Sequence, residues 1–221
     1  MPSHLDHVLV WDLETVPDLA AVARVHGLDE ADEAAAREKL GDGFPKLIFH
    51  RIVCVGALIA ERFNAGWVVR SLGAPNLSER TEAESIQSFV DRIAEYRPQL
   101  VTFNGASFDL PVLSYRAMIH RVTAPGLSAR SYWHRFTDDA LDLCDVLACY
   151  TAGAKISLND LCRALGFPGK LDGMDWGRGG RICAGGPGCR GLGLLRDRCG
   201  EHVSGLVAVR AFPGRADSRR V

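Results

Sequence analysis

The chain has 221 residues and a net charge of −1, with 47% hydrophobic and 24% charged residues. This composition is typical of a soluble globular protein, and no apolar run approaches the roughly 18 residues of a membrane span. The first residues, "MPSHLDHV", lack the basic and apolar regions of a signal peptide, and seven scattered Cys residues suit a reducing compartment. We therefore expect a cytoplasmic protein that has no membrane partner.

The charge is unevenly distributed along the chain. Residues 1–175 carry a net charge of −7, whereas residues 176–221 carry +6 and contain 11 Gly and 9 Arg but no Lys. An acidic main part argues against broad electrostatic binding of nucleic acid, although a local groove with bound cations is compatible with it. We predict one domain over residues 1–175 and an irregular, disordered Gly/Arg-rich tail over residues 176–221.

Hydrophobic patterns predict alternating strands and helices in the first 175 residues. A buried strand at "HVLVWDLET" is followed by a helical segment over residues 18–41 and by two antiparallel strands, "RIVCVGALIAE" and "GWVVRSLG". A capping box of Thr81 and Glu84 begins a helix, which is followed by a strand at "QLVTF" and a helix to about His120. Helical stretches are predicted near residues 138–148 and from Ser157. This order favours an α/β or α+β sheet with helices on its faces.

Three carboxylates lie at strand and helix ends in this pattern. Asp12 and Glu14 lie two residues apart on the first strand, so both side chains point to one face with Cα atoms roughly 7 Å apart. Asp109 lies at a helix start directly after a strand. Alone, the first pair is equally well explained by solvated acids at a strand end. Asp109 alone is better explained as a helix-capping or first-turn Asp, which the helix dipole favours. Together they predict a cage for two Mg²⁺ or Mn²⁺ ions about 4 Å apart, which suits phosphoryl transfer.

The segments "VWDLETVPD" and "FNGASFDLPVL" resemble the first two motifs of the DEDD 3′–5′ exonucleases, which have the ribonuclease-H-like fold. The stand-alone group related to the exonuclease domain of family-B DNA polymerases is the most similar, because "FHRIVCVGAL" and "KISLNDLCRALGFPGKLDGMD" resemble it too. The resemblance covers about residues 7–175. It implies a mixed sheet flanked by helices and two-metal hydrolysis at 3′ ends of single-stranded or frayed DNA, with RNA left open as a substrate.

The resemblance also implies roles for individual residues. Asp12 would bridge both metal ions, Glu14 would bind the metal that activates the attacking water, and Asp109 would bind the other metal. Four residues would lie near the terminal nucleotide: Leu13, Thr15, Asn104 and Phe108. A base can stack on Phe108, although a core position is an equally good explanation of this Phe.

A third motif of this group is missing from the sequence. The motif reads approximately Tyr-Cys-Glu-Thr-Asp-Val-Val-Asn-Thr-Tyr, and its helix carries a water-positioning Tyr and a fourth metal-binding Asp. It should follow "GFPGKLDGMD", but the last Tyr of the chain is Tyr150 and the only acids after residue 175 are Asp197, Glu201 and Asp217. No helical pattern supports Asp197 as the fourth ligand. Three of the four metal carboxylates are therefore present, and we expect greatly reduced activity or none.

A change of reading frame explains the missing motif. Read one base out of frame, codons for "LLRDRCGEHVS" (Leu194–Ser204) can encode the whole motif in order; CTA-CTG for Leu-Leu contains TAC for Tyr, and Glu-His contains AAC for Asn. A Gly/Arg-rich, Lys-free composition is also what a GC-rich gene yields out of frame. Our hypothesis is a one-base frameshift near codons 175–176.

Other interpretations of residues 176–221 are weaker. The segment lacks the repeated aromatic spacing of an RNA-binding Gly/Arg tail, and "GGPGCRGLG" lacks the Gly-Lys-Ser/Thr of a phosphate loop. Cys183, Cys189 and Cys199 have neither CxxC spacing nor His partners suited to zinc. Two alternatives to an impaired nuclease remain: a catalytically inactive nucleic-acid-binding domain and a non-functional truncated product.

Overall fold

Strands and helices alternate in the computed structural model, which describes residues 6–64, 66–75, 77 and 80–167. The strands are β1 His7–Pro17, β2 His50–Phe63, β3 Gly66–Gly73, β4 Gln99–Thr102 and β5 Ala140–Asp142. The helices are α1 Leu19–His26, α2 Glu33–Leu40, α3 Glu82–Tyr96, α4 Asp109–Ile119, α5 Leu143–Leu147 and α6 Leu158–Ala164. The predicted domain boundary at residue 175 and the predicted Gly/Arg-rich tail lie outside the described residues.

The five strands form one mixed sheet in the order β3-β2-β1-β4-β5. β1 pairs antiparallel with β2, and β2 with β3, while β1 and β4 are parallel, as are β4 and β5. Parallel neighbours need a crossover, and the connection from the β2–β3 hairpin to β4 supplies one through α3. The predicted α/β class, a mixed sheet with helices packed against it, is confirmed.

The predicted helix after Thr81 forms as α3. Thr81 accepts a hydrogen bond from the Glu84 N–H, and the Glu84 side chain accepts one from the Thr81 N–H, so the predicted capping box is present. The apolar stripe buries Ile86, Phe89, Val90 and Ile93 against the sheet, where the Phe89 ring lies 5.0 Å from the Trp11 ring. Ala94 continues the same apolar spacing in the sequence but is exposed.

One predicted helix is partly wrong. The stretch near residues 138–148 begins as strand β5, because Leu100–Thr102 of β4 pair in parallel with Ala140–Asp142. The helix α5 starts only at Leu143, and Asp142 caps it by accepting a hydrogen bond from the Cys144 N–H. Pairing with a distant strand overrides the local helical pattern here. The helical segment predicted over residues 18–41 is confirmed as α1 and α2.

Strand β1 runs on past the end of β4. Val8 pairs with Gln99 and Val10 with Val101, and β4 ends at Thr102. Asp12 and Glu14 therefore lie beyond the part of β1 that pairs with β4, although both still pair with β2. They are at the carboxyl end of β1, next to the turn between β4 and α4. Among the residues that the structure describes, no helix has the length and apolar composition that a membrane span requires.

A buried ion cluster fixes α4 to α1 and α3. Arg116 of α4 is 2% exposed and donates to both carboxylate oxygens of Glu82, at 2.7 and 2.6 Å, and to Asp18 Oδ2 at 2.5 Å. Glu82 Oε1 also accepts the Ile52 N–H at 2.7 Å. Burial raises the pKa of Asp18, but hydrogen bonds from the Ala21 N–H and from Arg116 outweigh it and leave this pKa below its ordinary value. One cation thus holds two acids from separate elements.

Replacing Arg116 with Met should strongly destabilise the protein. In the variant Asp18 loses its ion pair, and Glu82 keeps only those with the more exposed Arg51 and His120. Breaking a buried ion pair in this way costs on the order of 3–5 kcal/mol in the free energy of unfolding. Urea denaturation at pH 7 measures this loss. The control is Arg70→Met, because Arg70 forms an exposed ion pair with Glu61 on the sheet edge, and such pairs contribute about 0–1 kcal/mol. Equal losses in the two variants would contradict the role of the buried cluster.

Candidate active site

Two acids of β1 point to the same side of the sheet. Successive side chains of a strand alternate between its faces, so Asp12 and Glu14 share one face while Leu13 lies on the other. Leu13 is 5% exposed and packs in the main core, whereas both acids are half-buried. A core residue thus anchors the strand between the two carboxylates.

Asp109 joins the start of α4 to this part of β1. Its side chain is 3% exposed, and Oδ1 accepts a hydrogen bond from the Leu13 N–H at 3.0 Å. The positive end of the helix dipole also favours a carboxylate in the first turn. The backbone of the residue between the two β1 acids therefore determines where the Asp109 carboxyl group lies.

The environment of Asp109 opposes its ionisation. Burial raises the pKa of Asp109 well above its ordinary value, and the negative charge of Asp12 raises it further. The hydrogen bond from the Leu13 N–H acts in the opposite direction, and Asp142 adds a smaller unfavourable charge. A divalent cation between such carboxylates would remove this repulsion, and hard oxygen donors suit Mg²⁺ or Mn²⁺.

The structure brings Asp12 and Asp109 together, and Glu14 follows two residues along the same face of β1. Within the described ranges, no group of three or more His, Cys, Asp and Glu side chains is arranged closely enough to hold a metal ion. The cage of three carboxylates around two metal ions therefore stays a prediction.

The turn between β4 and α4 is shaped by a residue that the sequence patterns did not reveal. Asp142 Oδ1 accepts the Asn104 N–H at 2.7 Å, and its Oδ2 accepts the Ala106 N–H at 3.1 Å. Gly105 lies between these two residues, and a Cβ atom there would come within 2.5 Å of Thr102. The only sequence signal for Asp142 is its position as an N-cap residue, because its partners lie almost forty residues earlier.

The other predicted nucleotide-binding residues lie around this turn. Asn104 is exposed, has a φ of 66°, and accepts a hydrogen bond from Ser107 Oγ at 2.9 Å. Thr15 Oγ1 lies 3.0 Å from His50 Nδ1, and the half-buried Phe108 ring meets the His50 ring edge-on at 5.0 Å. Of the four predicted nucleotide-binding residues, only Leu13 is fully buried in the core.

Three structures of exonuclease I, two of them from E. coli, show a distant likeness to this chain. The complex with a 5cy-dT13 oligonucleotide is 14% identical with a TM-score of 0.42, and the match covers 75% of this chain and 37% of the other. The product-bound form is 15% identical with a TM-score of 0.41, and the match covers 74% of this chain and 39% of the other. The zinc-bound complex with single-stranded DNA is 13% identical with a TM-score of 0.42, and the match covers 94% of this chain and 41% of the other. The chain thus spans about two fifths of the length of these proteins.

A match to a family model shows which family the chain belongs to. A search of curated proteins found no match to the sequence. A family model described as a predicted 3′–5′ exonuclease related to the exonuclease domain of PolB matches residues 42–178. This region contains Asp109 and the turn before it but not the β1 acids. Because it spans more than half of the sequence, the chain belongs to this family of predicted 3′–5′ exonucleases.

Proposed function

We propose that the chain has the active-site framework of a two-metal 3′–5′ exonuclease that acts on single-stranded or frayed ends of DNA. The observation that carries this proposal is the buried carboxyl group of Asp109, held beside Asp12 by the Leu13 N–H. A family related to a DNA polymerase exonuclease domain favours DNA over RNA as the substrate. Asp12, Glu14 and Asp109 are the proposed metal ligands.

The carboxylates fit divalent cations on chemical grounds. They supply hard oxygen donors, and the mutual repulsion of Asp12 and Asp109 is a cost that a cation offsets. Bound Mg²⁺ or Mn²⁺ would supply an activated water and stabilise the charge that develops on the scissile phosphate. In this scheme Asp12 would bind both ions, Glu14 would bind the one that activates the water, and Asp109 would bind the other.

The residues around the carboxylates would position the terminal nucleotide. Asn104 and Phe108 lie on the turn that Asp142 holds, and Thr15 lies on β1 directly after Glu14. Because the turn and the strand are joined through Leu13 and Asp109, the nucleotide contacts and the metal ligands would move together. Such fixed placement is what brings a phosphodiester bond into line with an attacking water.

We propose further that this particular chain is catalytically impaired. It lacks the motif Tyr and the fourth Asp, since Tyr150 is the last Tyr of the sequence. In the structure the Tyr150 ring packs edge-on against Phe136, 4.9 Å away, and is engaged there. The family match ends at residue 178, close to codons 175–176, where we place the frameshift. An inactive domain that still binds nucleic acid is the alternative.

Restoring the reading frame should restore exonuclease activity. We expect a version with the second frame from codon 176 to shorten a 3′-labelled single-stranded oligonucleotide with Mn²⁺, because it regains the Tyr-x-x-x-Asp helix. The unrestored chain should show greatly reduced digestion or none. Asp12→Ala in the restored version should abolish digestion. Full activity of the unrestored chain would contradict the impairment, and continued digestion by the Asp12→Ala version would contradict the metal assignment.

Asp109→Asn should stabilise the metal-free protein at neutral pH. The raised pKa of Asp109 means that the folded state binds its proton more tightly than the unfolded state. The stability from this proton is complete below the unfolded value of about 3.9 and is lost as the pH rises through the folded pKa. The Asn variant avoids this loss and retains the oxygen that accepts the Leu13 N–H. In EDTA, its Tm advantage over the original chain should therefore grow with pH.

The same variant tests the metal site without measuring activity. Mn²⁺ should raise the Tm of the original chain by binding its folded state, and Asp109→Asn should lose most of this increase. The matched control is Asp91→Asn, because Asp91 is exposed on α3 and its side chain contacts Gln87. An equal effect of Mn²⁺ on all three proteins would show that Asp109 binds no metal.

A further inference from the structure

An exposed aromatic ring stands beside the candidate active site. Phe44 lies in the loop between α2 and β2 and is 76% exposed. Its ring nevertheless has two neighbours, with the His50 ring 5.0 Å away and the Phe108 ring 5.8 Å away. His50 and Phe108 also contact each other edge-on. The three rings form one group, in which Phe44 is outermost.

His50 fixes this group to β1 and to the loop. His50 Nε2 lies 3.2 Å from the Pro45 carbonyl oxygen, which can only accept a hydrogen bond, so Nε2 carries the proton. Nδ1 of the neutral ring then accepts the hydrogen bond from Thr15 Oγ1. Burial lowers the pKa of His50, opposed by the bond to Pro45, and this favours the neutral ring. The residue next to Phe44 is therefore tied through His50 to β1.

The aromatic group adjoins the carboxylates through Phe108, the N-cap residue of α4, which directly precedes Asp109. Thr15, which holds His50, follows Glu14 on β1 and has its side chain on the other face of the strand. A nucleotide whose terminal phosphodiester reached Asp12 and Asp109 would have its base within reach of these rings. Phe44 offers the most exposed ring of the group. Stacking of bases on aromatic side chains is a common basis of single-strand binding.

We propose that Phe44, supported by His50 and Phe108, is the surface on which the base of the 3′-terminal nucleotide stacks. This inference rests on the proposed exonuclease function and adds a substrate-binding residue to it. Because the supporting His50 ring is neutral, the group recognises the flat face of the base and not the phosphate. Stacking of this kind accepts all four bases, which an exonuclease that removes successive nucleotides requires.

The test measures binding to a single-stranded oligonucleotide with a fluorescent label at its 5′ end. A phosphorothioate at the terminal linkage slows digestion, and fluorescence anisotropy with Mn²⁺ gives the Kd. We expect Phe44→Ala and Phe44→Leu to weaken binding about 5- to 100-fold, the range for loss of one stacked base. Phe44→Trp should retain binding. With an oligonucleotide that ends in an abasic sugar, the original chain and the Ala variant should bind equally.

Phe63→Ala is the matched control. Phe63 is 60% exposed but lies at the opposite end of β2 from His50, about 40 Å away along the strand. This variant should bind like the original chain. Equal binding by all the variants would overturn the stacking role while leaving the proposed function intact. A Phe44→Ala loss that persists with the abasic end would also overturn it. If the original chain binds no oligonucleotide, the proposed function fails as well.

Discussion

The hydrogen bond from the Leu13 N–H to Asp109 Oδ1 is the contact on which the candidate site depends. It joins the middle of β1 to the first residue of α4 across 96 positions of the sequence. The bond can form because β4 is short and the chain turns toward β1 as soon as that strand ends. Asp142 and Gly105 then determine the path of the turn. The positions of both carboxyl groups follow from backbone geometry more than from side-chain packing.

Two groups of buried carboxylates in this protein differ in whether a positive charge lies beside them. In the cluster around Arg116, one cation lies between the carboxylates of Asp18 and Glu82, so attraction and hydrogen bonds offset the cost of burial. Asp109, in contrast, is buried beside another acid, and this arrangement raises its pKa. The first group stabilises the scaffold that positions α4. The second destabilises the metal-free fold, as expected for a site whose bound cation would supply the missing positive charge.

The ability of the sequence to predict this structure depends on how local each signal is. The strand that carries Asp12 and the helix after Thr81 were predictable, because apolar spacing and a capping box lie within the elements themselves. Strand β5 is too short for an alternating pattern, and pairing with β4 is what makes it a strand. Sequence patterns did not reveal Asp142 and Phe44, because each meets a partner that is distant in sequence, Asn104 for Asp142 and Phe108 for Phe44. Phe44 also contacts the nearby His50, but no local pattern marks that pair.

The strand order also has a consequence for synthesis on the ribosome. Among the described residues the five strands end at Asp142, and the central strand β1 precedes the other four in the chain. Since domains can fold while later residues are still being added, these strands can pair without the residues that are encoded after codon 175. A nascent chain in either reading frame would then present the same sheet to chaperones and proteases. Quality control could distinguish the two products only by the residues translated after the sheet.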